Sequence, residues 1–158
     1  MIIIGIDPGL NHTGYGLVEI QKDKIIAIDY GCITNRIHDS FPDKIKNVHC
    51  EINTLITKYS PHELVLEEIF FSKNTRSAIN VGKISGAVAL TATLAGINMF
   101  VYTPLQVKQS VVGYGRATKN QVQAMVKVLL NLSSIPHSDH AADALAVAIC
   151  HIHSKYSY

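Results

Sequence analysis

The chain has 158 residues, of which 47% are hydrophobic and 16% charged, and its formal net charge is +2. These values are typical of one globular domain, residues 1–158, and they exclude a disordered chain. The apolar runs are too short for a membrane span, and no basic region precedes the apolar N-terminus, so neither a transmembrane helix nor a secretory signal is expected. The three cysteines are widely spaced, which favours a reducing, cytoplasmic setting.

Three strands with short connections are predicted at the start of the chain. Residues 2–7 form an apolar run rich in isoleucine, typical of a buried strand, and Pro8-Gly9 predicts a turn directly after it. Two further strands are predicted at 13–20 and 24–34. Because the connections are short, the three strands are expected to form an antiparallel meander.

The rest of the chain is predicted to alternate helices with strands. Together with the opening meander, this order predicts an α/β (α+β) fold around a mixed five-stranded sheet. The predicted elements are a helix capped by Ser40 that ends near residue 58, a strand at 63–67, a long helix at 75–95 ended by Gly96, a strand at 98–102, a helix at 104–111, a helix after the capping-box sequence 118–121, and a last helix at about 139–153.

The charged residues are unevenly distributed. All twelve acidic residues lie within 1–68 or 139–158, whereas every charged residue within 69–138 is basic. This uncompensated stretch also contains aromatic residues and Gly-rich turns, which favours a surface that binds nucleic acid. A mixed surface, with acids supplied by other parts of the fold, is the alternative. The basic residues of the stretch are Lys73, Arg76, Lys83, Lys108, Arg116, Lys119 and Lys127.

Carboxylates stand at the ends of two apolar strands and in the last helix. Asp7 closes the first strand and Glu67 the fourth, where a carboxylate is costly unless a cation meets it. On the last helix, His140 and Asp143 share a face at i, i+3, and Asp139 and Asp143 do so at i, i+4. Each acid alone is more often structural, for example as a turn or helix cap. As a set, they suit Mg²⁺-dependent phosphodiester hydrolysis.

The motifs around these acids resemble the bacterial RuvC family of Holliday-junction resolvases. The matching motifs occur in the same order as in the family, from residue 2 to about 153. A GIDPG motif alone is weak, because other RNase H-like and actin-like proteins begin similarly, but the ordered set is specific. The matching segments are 5–9, 13–16, 67–70, 73–74, 106–113 and 141–146.

The resemblance implies an RNase H-like fold with helices on both faces of the sheet. It implies a homodimer, joined through the 75–95 helix, that binds a four-way DNA junction during recombination and repair. Each subunit would nick one of two strands of like polarity, leaving 5′-phosphate and 3′-hydroxyl ends. The expected partner is the RuvA–RuvB branch-migration complex, and the expected location is the bacterial cytoplasm.

The resemblance also assigns the catalytic positions. Asp7, Glu67 and Asp143 match the catalytic and metal-binding acids of the family, and His140 stands at the fourth position, where some members carry Asp. The implied cofactor is Mg²⁺, with two ions per site and Mn²⁺ as a substitute that an imidazole ligand favours. Asp139 is interpreted either as an acid close to the metal ligands or as the N-cap of the last helix.

Basic and aromatic residues match positions near DNA in the family. Phe70 is expected to stack on an unpaired base at the junction centre, with ordinary packing as the alternative, which is favoured for Phe71. Glu68 either tunes the charge of the site or faces solvent. The candidate DNA-binding residues are Phe70, Lys73, Lys108, Arg116 and Lys119.

Three other functions fit parts of the sequence less well. An actin-like or sugar-kinase ATPase half begins with a similar strand and hairpin, but its remaining nucleotide-binding segments need far more than 158 residues. A zinc site is not supported, because His151 and His153 are two apart on a helix and are expected at the surface. A junction-binding module without catalysis, on the same fold, remains the main rival and differs from the enzyme only in a cleavage assay.

Overall fold

Five strands and five helices follow one another within residues 1–22, 24–68 and 75–156, the residues that the computed structural model describes. Every element expected from the sequence is present, although β2 begins at His12 and α5 continues to Tyr156. The strands are β1 (Ile2–Asp7), β2 (His12–Gln21), β3 (Lys24–Thr34), β4 (Glu63–Glu67) and β5 (Asn98–Tyr102). The helices are α1 (Phe41–Tyr59), α2 (Thr75–Leu94), α3 (Pro104–Val112), α4 (Lys119–Leu129) and α5 (Asp139–Tyr156).

The strands form one mixed sheet in the order β3-β2-β1-β4-β5. The first three strands pair antiparallel, which confirms the expected meander. β4 pairs parallel with β1 and with β5. The two strands that end in a candidate catalytic acid, β1 and β4, are therefore neighbours at the centre of the sheet.

Helices cover both faces of the sheet and bury a core on each. Because successive strand residues point to opposite faces, Ile4 and Ile6 pack with α1 and α2, whereas Ile3 packs with α3, α4 and α5. All three isoleucines are fully buried. Across the described part of the chain, each helix is too short or too polar to cross a bilayer.

Helix α5 lies directly on the sheet because two glycines leave room for it. From Ala141 to Ile152 it is buried at every position except Asp143. A Cβ on Gly5 would lie 2.1 Å from the backbone oxygen of Ala144, and a Cβ on Gly14 would lie 1.9 Å from that of His140. No side chain fits at these distances, so glycine at both positions allows the N-terminal half of α5 to reach the ends of β1 and β2.

His151 lies in the core, and its expected surface location is wrong. The side chain is fully buried, with Nε2 2.6 Å from Oε2 of Glu63 and Nδ1 3.0 Å from the hydroxyl of Tyr102. His153 is half-buried, and its Nδ1 lies 3.1 Å from the backbone oxygen of Ser110. Their spacing along α5 carried no information on burial, because α5 is covered by other elements on nearly all sides.

Candidate active site

Asp7 and Glu67 lie side by side at the carboxyl ends of β1 and β4. The register of the parallel pair sets Ile6 opposite Leu66, so the next residue of each strand is an acid. Only 16% of the Asp7 side chain is exposed, and Glu67 is also partly buried. The sheet therefore holds two carboxylates close together at one edge, as their positions in the sequence predicted.

Helix α5 brings His140 to Asp7. Nδ1 of His140 lies 2.7 Å from Oδ2 of Asp7. A carboxylate oxygen can only accept, so Nδ1 carries the proton of this hydrogen bond, and in the neutral ring Nε2 keeps its lone pair for a ligand. Gly14, which pairs with Asp7 across β1 and β2, makes the contact possible because it leaves space for the backbone of His140.

Burial and repulsion from neighbouring carboxylates disfavour the charged forms of Glu67 and Asp143. Burial, followed by the charges of Asp7 and Asp143, raises the pKa of Glu67 to about 7. Burial also raises the pKa of Asp143, where the repulsion from Asp7 is opposed by the attraction of Lys119. Two desolvated carboxylates whose pKa values are raised in this way mark a site that favours a cation.

Lys119 supplies one cation to this site. Its Nζ lies 3.2 Å from Oδ2 of Asp143 and 3.3 Å from Oδ2 of Asp139. The capping box of Thr118 and Gln121 starts α4 at this point, which fixes the backbone of Lys119 beside the N-terminus of α5. The ammonium therefore lies where the carboxylate of Asp143 would otherwise be unpaired.

Asp139 is a partner of α4 and not the N-cap of α5. Its Oδ1 accepts a hydrogen bond of 2.8 Å from the Nε2 of Gln123, and its Oδ2 faces Lys119. Asp139 is already the first residue of the helix. The first turn is closed by a hydrogen bond that the N–H of Ala142 donates to the carbonyl oxygen of Ser138. The N-cap interpretation is wrong because the carboxylate is turned toward α4.

The side chains of this site are of the types that bind a hard divalent cation, but in this structure they do not converge on a single position. Three carboxylates and one imidazole face the same edge of the sheet, and oxygen-rich sets of this kind suit Mg²⁺ or Mn²⁺. Within the described residues, no three His, Cys, Asp or Glu side chains are close enough to hold a metal as they stand. Two of the acids are instead paired with other side chains. Asp7 accepts a hydrogen bond from His140, and Asp143 forms an ion pair with Lys119. Metal binding requires these pairs to rearrange.

The candidate DNA-binding residues occupy different places. Lys108 is half-buried and lines a cavity of about 220 Å³ together with Glu67, Lys119 and Asp143. Arg116 is exposed in the loop before α4. Phe70 and Lys73, like Phe71, lie outside the described residues. Glu68 is exposed, which agrees with the interpretation that it faces solvent.

Two residues close to the acids were not predicted from the sequence. Gln123, on α4, bonds Asp139, and no sequence pattern linked these two positions. His12 stacks on His140, with ring centroids 5.7 Å apart and planes inclined by 20°. Its position shortly after Asp7, at the start of β2, was the only sequence feature that pointed to it.

The sheet order, the helices on both faces and the strand-end acids define the chain as a nuclease with an RNase H-like fold. Comparison with known proteins narrows the class further. The family model described as crossover junction endodeoxyribonuclease RuvC matches residues 3–151. The chain belongs to the RuvC family, and it is a crossover junction endodeoxyribonuclease that resolves Holliday junctions in DNA recombination and repair. The resemblance inferred from the motifs is confirmed.

Relatives match the chain along nearly all of its length. The RuvC endodeoxyribonuclease of Ruminiclostridium cellulolyticum is 52% identical over 151 residues, which cover 96% of this chain and 91% of the relative. That of Alkaliphilus oremlandii is 48% identical over 154 residues, covering 98% and 94%. Among solved structures, T. thermophilus RuvC in complex with a Holliday junction substrate superposes with a TM-score of 0.91 at 32% identity, covering 99% of this chain and 94% of that one.

Proposed function

We propose that residues 1–158 act as a single nuclease domain that cuts four-way DNA junctions with Asp7, Glu67, His140 and Asp143. The observation that carries this proposal is the meeting of these side chains at one edge of the sheet. Asp7 and Glu67 end adjacent parallel strands, and α5 lays the other two residues over them. Their charges are already coupled, since Asp7 and Asp143 both raise the pKa of Glu67.

A divalent cation is the proposed cofactor, in line with the metal dependence of nucleases in this family. Asp7, Glu67 and Asp143 would hold it through oxygen, and His140 through a ring nitrogen. Mg²⁺ is proposed as the ion, with two ions per site and Mn²⁺ as a substitute that the imidazole favours. Bound ions would supply the positive charge that activates water and stabilises the leaving oxygen in phosphodiester hydrolysis.

The residues of the chain have distinct proposed tasks in this reaction. In the free protein the hydrogen bond to Asp7 keeps the ring of His140 beside the acids, and this bond opens when the ion binds. Lys119 neutralises Asp143 in the free protein and binds a DNA phosphate once the acids have another cation. Lys108, which lines the same cavity of about 220 Å³ as Lys119, offers a second positive charge to the DNA backbone.

Lys73, Lys108, Arg116 and Lys119 are proposed to contact phosphates, and Phe70 is proposed to stack on an unpaired base. Binding that neutralises phosphates releases counterions, so the affinity falls linearly with salt on logarithmic axes. We expect Arg116→Ala to lower the slope by about 1, since one phosphate contact is lost. Measurement of junction binding across a salt series tests this, and an unchanged slope would remove Arg116 from the interface.

The homodimer is proposed to form through α2, with a second copy covering an apolar groove between α1 and α2. Leu90 and Leu94 are 59% and 72% exposed there, and Phe41 and Ile45 line the same groove of about 500 Å³. Leu90→Glu places a charge in this surface and is expected to give monomers in light scattering. Val128→Glu, at a residue of α4 that is 67% exposed, is the matched control and should leave the dimer intact.

The working environment of the enzyme is proposed from its family. A resolvase of this kind acts in the bacterial cytoplasm with the RuvA–RuvB branch-migration complex. Co-purification of the chain with the RuvA and RuvB proteins on a four-way junction tests the partnership. Retention of the chain on the junction at equal strength with and without these proteins would count against it.

Cleavage of a synthetic four-way junction tests the function itself. Wild type is expected to make paired nicks with Mg²⁺ or Mn²⁺, and Asp7→Asn and Asp143→Asn should still bind but cut at least about 100-fold more slowly, since each removes a transition-state interaction. Asp29→Asn, on β3, is a control that should cut normally. Junction binding without any cleavage by wild type would instead indicate the non-catalytic module. Normal cutting by the two variants would refute the site.

A further inference from the structure

A cleft of about 480 Å³ lies beside the catalytic acids, between the turn that joins β1 to β2 and the N-terminal half of α2. The turn contributes residues 8–11, β2 contributes His12, and α2 contributes Ser77 and Asn80. His140, which bonds Asp7, is also a wall of this cleft. A DNA strand with its phosphate at the acids therefore has a neighbouring nucleotide within reach of the cleft.

His12 offers a flat surface in this cleft. The side chain is exposed, and its ring stacks on that of His140 with centroids 5.7 Å apart and planes inclined by 20°. In the free protein this stack restricts the orientation of His12, because the hydrogen bond to Asp7 holds the other ring. An aromatic ring that is supported on one side and open on the other is the kind of surface on which nucleic-acid bases stack.

Asn11 offers a hydrogen-bond donor whose direction is set by a buried lysine. Lys44 is only 7% exposed, and its Nζ lies 2.9 Å from Oδ1 of Asn11. An ammonium group can only donate, so the amide oxygen must face Lys44 and the amide nitrogen points away from it. Asn11 is exposed and lines the cleft, so a ligand in the cleft can reach the amide. The turn itself is held in place by Asn35, which donates a 2.7 Å hydrogen bond to the carbonyl of Leu10.

We propose that this cleft is a nucleotide subsite, in which the base next to the cut phosphate stacks on His12 and an acceptor atom of that nucleotide bonds the Asn11 amide. Lys44 is the positioning residue for that amide. The proposal rests on the junction-cutting function and adds where the cut strand lies. None of the described residues that line the cleft is acidic, which suits a polyanionic strand.

Junctions with a single abasic nucleotide test the stacking surface. The abasic nucleotide is placed in turn at each position beside the cut phosphate, and single-turnover cleavage is measured with the full-length protein. In wild type, one position adjacent to the cut should slow cleavage roughly 5- to 150-fold, the range expected for the loss of one stacked base. His12→Leu should cut the intact junction more slowly and show no further loss at that position. His12→Phe keeps an aromatic surface and should restore the sensitivity.

A double-mutant cycle tests the role of Lys44. Lys44→Met leaves the Asn11 amide free to turn, so it should slow cleavage in the wild-type background. In the Asn11→Ala background, the same change should have no further effect. A loss of equal size in both backgrounds would show that Lys44 acts through general stability, and the assignment would be wrong. Thermal unfolding of each variant confirms that the folded protein is being compared.

The outcomes separate this proposal from the function on which it rests. If wild type fails to cut the intact junction with Mg²⁺ or Mn²⁺, the proposed function is wrong. If wild type cuts, but the abasic positions slow wild type and His12→Leu equally, the subsite is wrong and the function stands. His38→Leu, at an exposed histidine in the segment before α1, is the matched control and should behave as wild type at every position.

Discussion

Replacing Glu67 with glutamine should make the metal-free protein more stable at alkaline pH. The environment raises the pKa of Glu67 from 4.5 to about 7, because the carboxylate is buried and lies near Asp7 and Asp143. Between these two pH values, the folded state binds more protons than the unfolded state, so the free energy of unfolding of wild type falls as the pH rises. Each pKa unit corresponds to about 1.4 kcal/mol, so the ionised side chain costs the folded state about 3 kcal/mol above pH 7.

Glutamine has the shape of the protonated acid and carries no charge. Glu67→Gln should therefore match wild type near pH 4.5 and exceed its free energy of unfolding by about 2–3 kcal/mol at pH 8.5, with some allowance for solvent screening. Urea unfolding at a series of pH values, in the presence of a chelator and at fixed protein concentration, measures the difference. Glu68→Gln is the matched control, since Glu68 is exposed and should show no such gain.

The same experiment has a clear refuting result. A stability difference between Glu67→Gln and wild type that stays constant from pH 4.5 to 8.5 would show that Glu67 is not held in a desolvated cluster of acids. Addition of Mg²⁺ at pH 8.5 extends the test. A bound cation should stabilise wild type more than the variant, because it would offset the charge that the variant lacks.

Three further predictions follow from other contacts. Gly14→Ala should destabilise the protein by about 1–3 kcal/mol and slow junction cleavage, because the added Cβ would lie 1.9 Å from a backbone oxygen of α5. Chemical unfolding measures the loss of stability, and a cleavage assay measures the loss of rate. Asp139→Asn should slow cleavage only about 2- to 5-fold, because Lys119 keeps Asp143 as a partner, and a loss as large as that of Asp143→Asn would make Asp139 a ligand. Burial alone would raise the pKa of Glu63, but three side-chain hydrogen bonds lower it, so this acid stabilises the fold above pH 4.5. That contribution should be lost as pH falls, and thermal unfolding of Glu63→Gln should show a deficit at pH 7 that shrinks at pH 3.

The sequence predicted the parts of the site that depend on strand ends and helical spacing. Asp7 and Glu67 each follow an apolar run, and such runs are paired at the centre of the sheet because they can be buried on both faces. His140 and Asp143 share a face of α5 by simple periodicity. These local rules brought Asp143 and either Asp139 or His140 toward the two strand-end acids, and the choice of His140 came from the resemblance to the family.

Contacts between helices were not predictable in the same way. The pairing of Lys119 with Asp143, and of Gln123 with Asp139, depends on how α4 packs against α5, which no local pattern records. The burial of His151 depends on β4 and β5, which lie far from it in sequence.

The position of a bound metal ion is the most direct test of the account. Crystals of the protein soaked with Mn²⁺, and measured for anomalous scattering, should show density between Asp7 and Asp143, within coordination distance of Glu67 and of a ring nitrogen of His140. Lys119 should then have left Asp143. Density on Asp139 with none at Asp7, or a Lys119 that keeps its contact with Asp143 beside a bound ion, would contradict the proposed site.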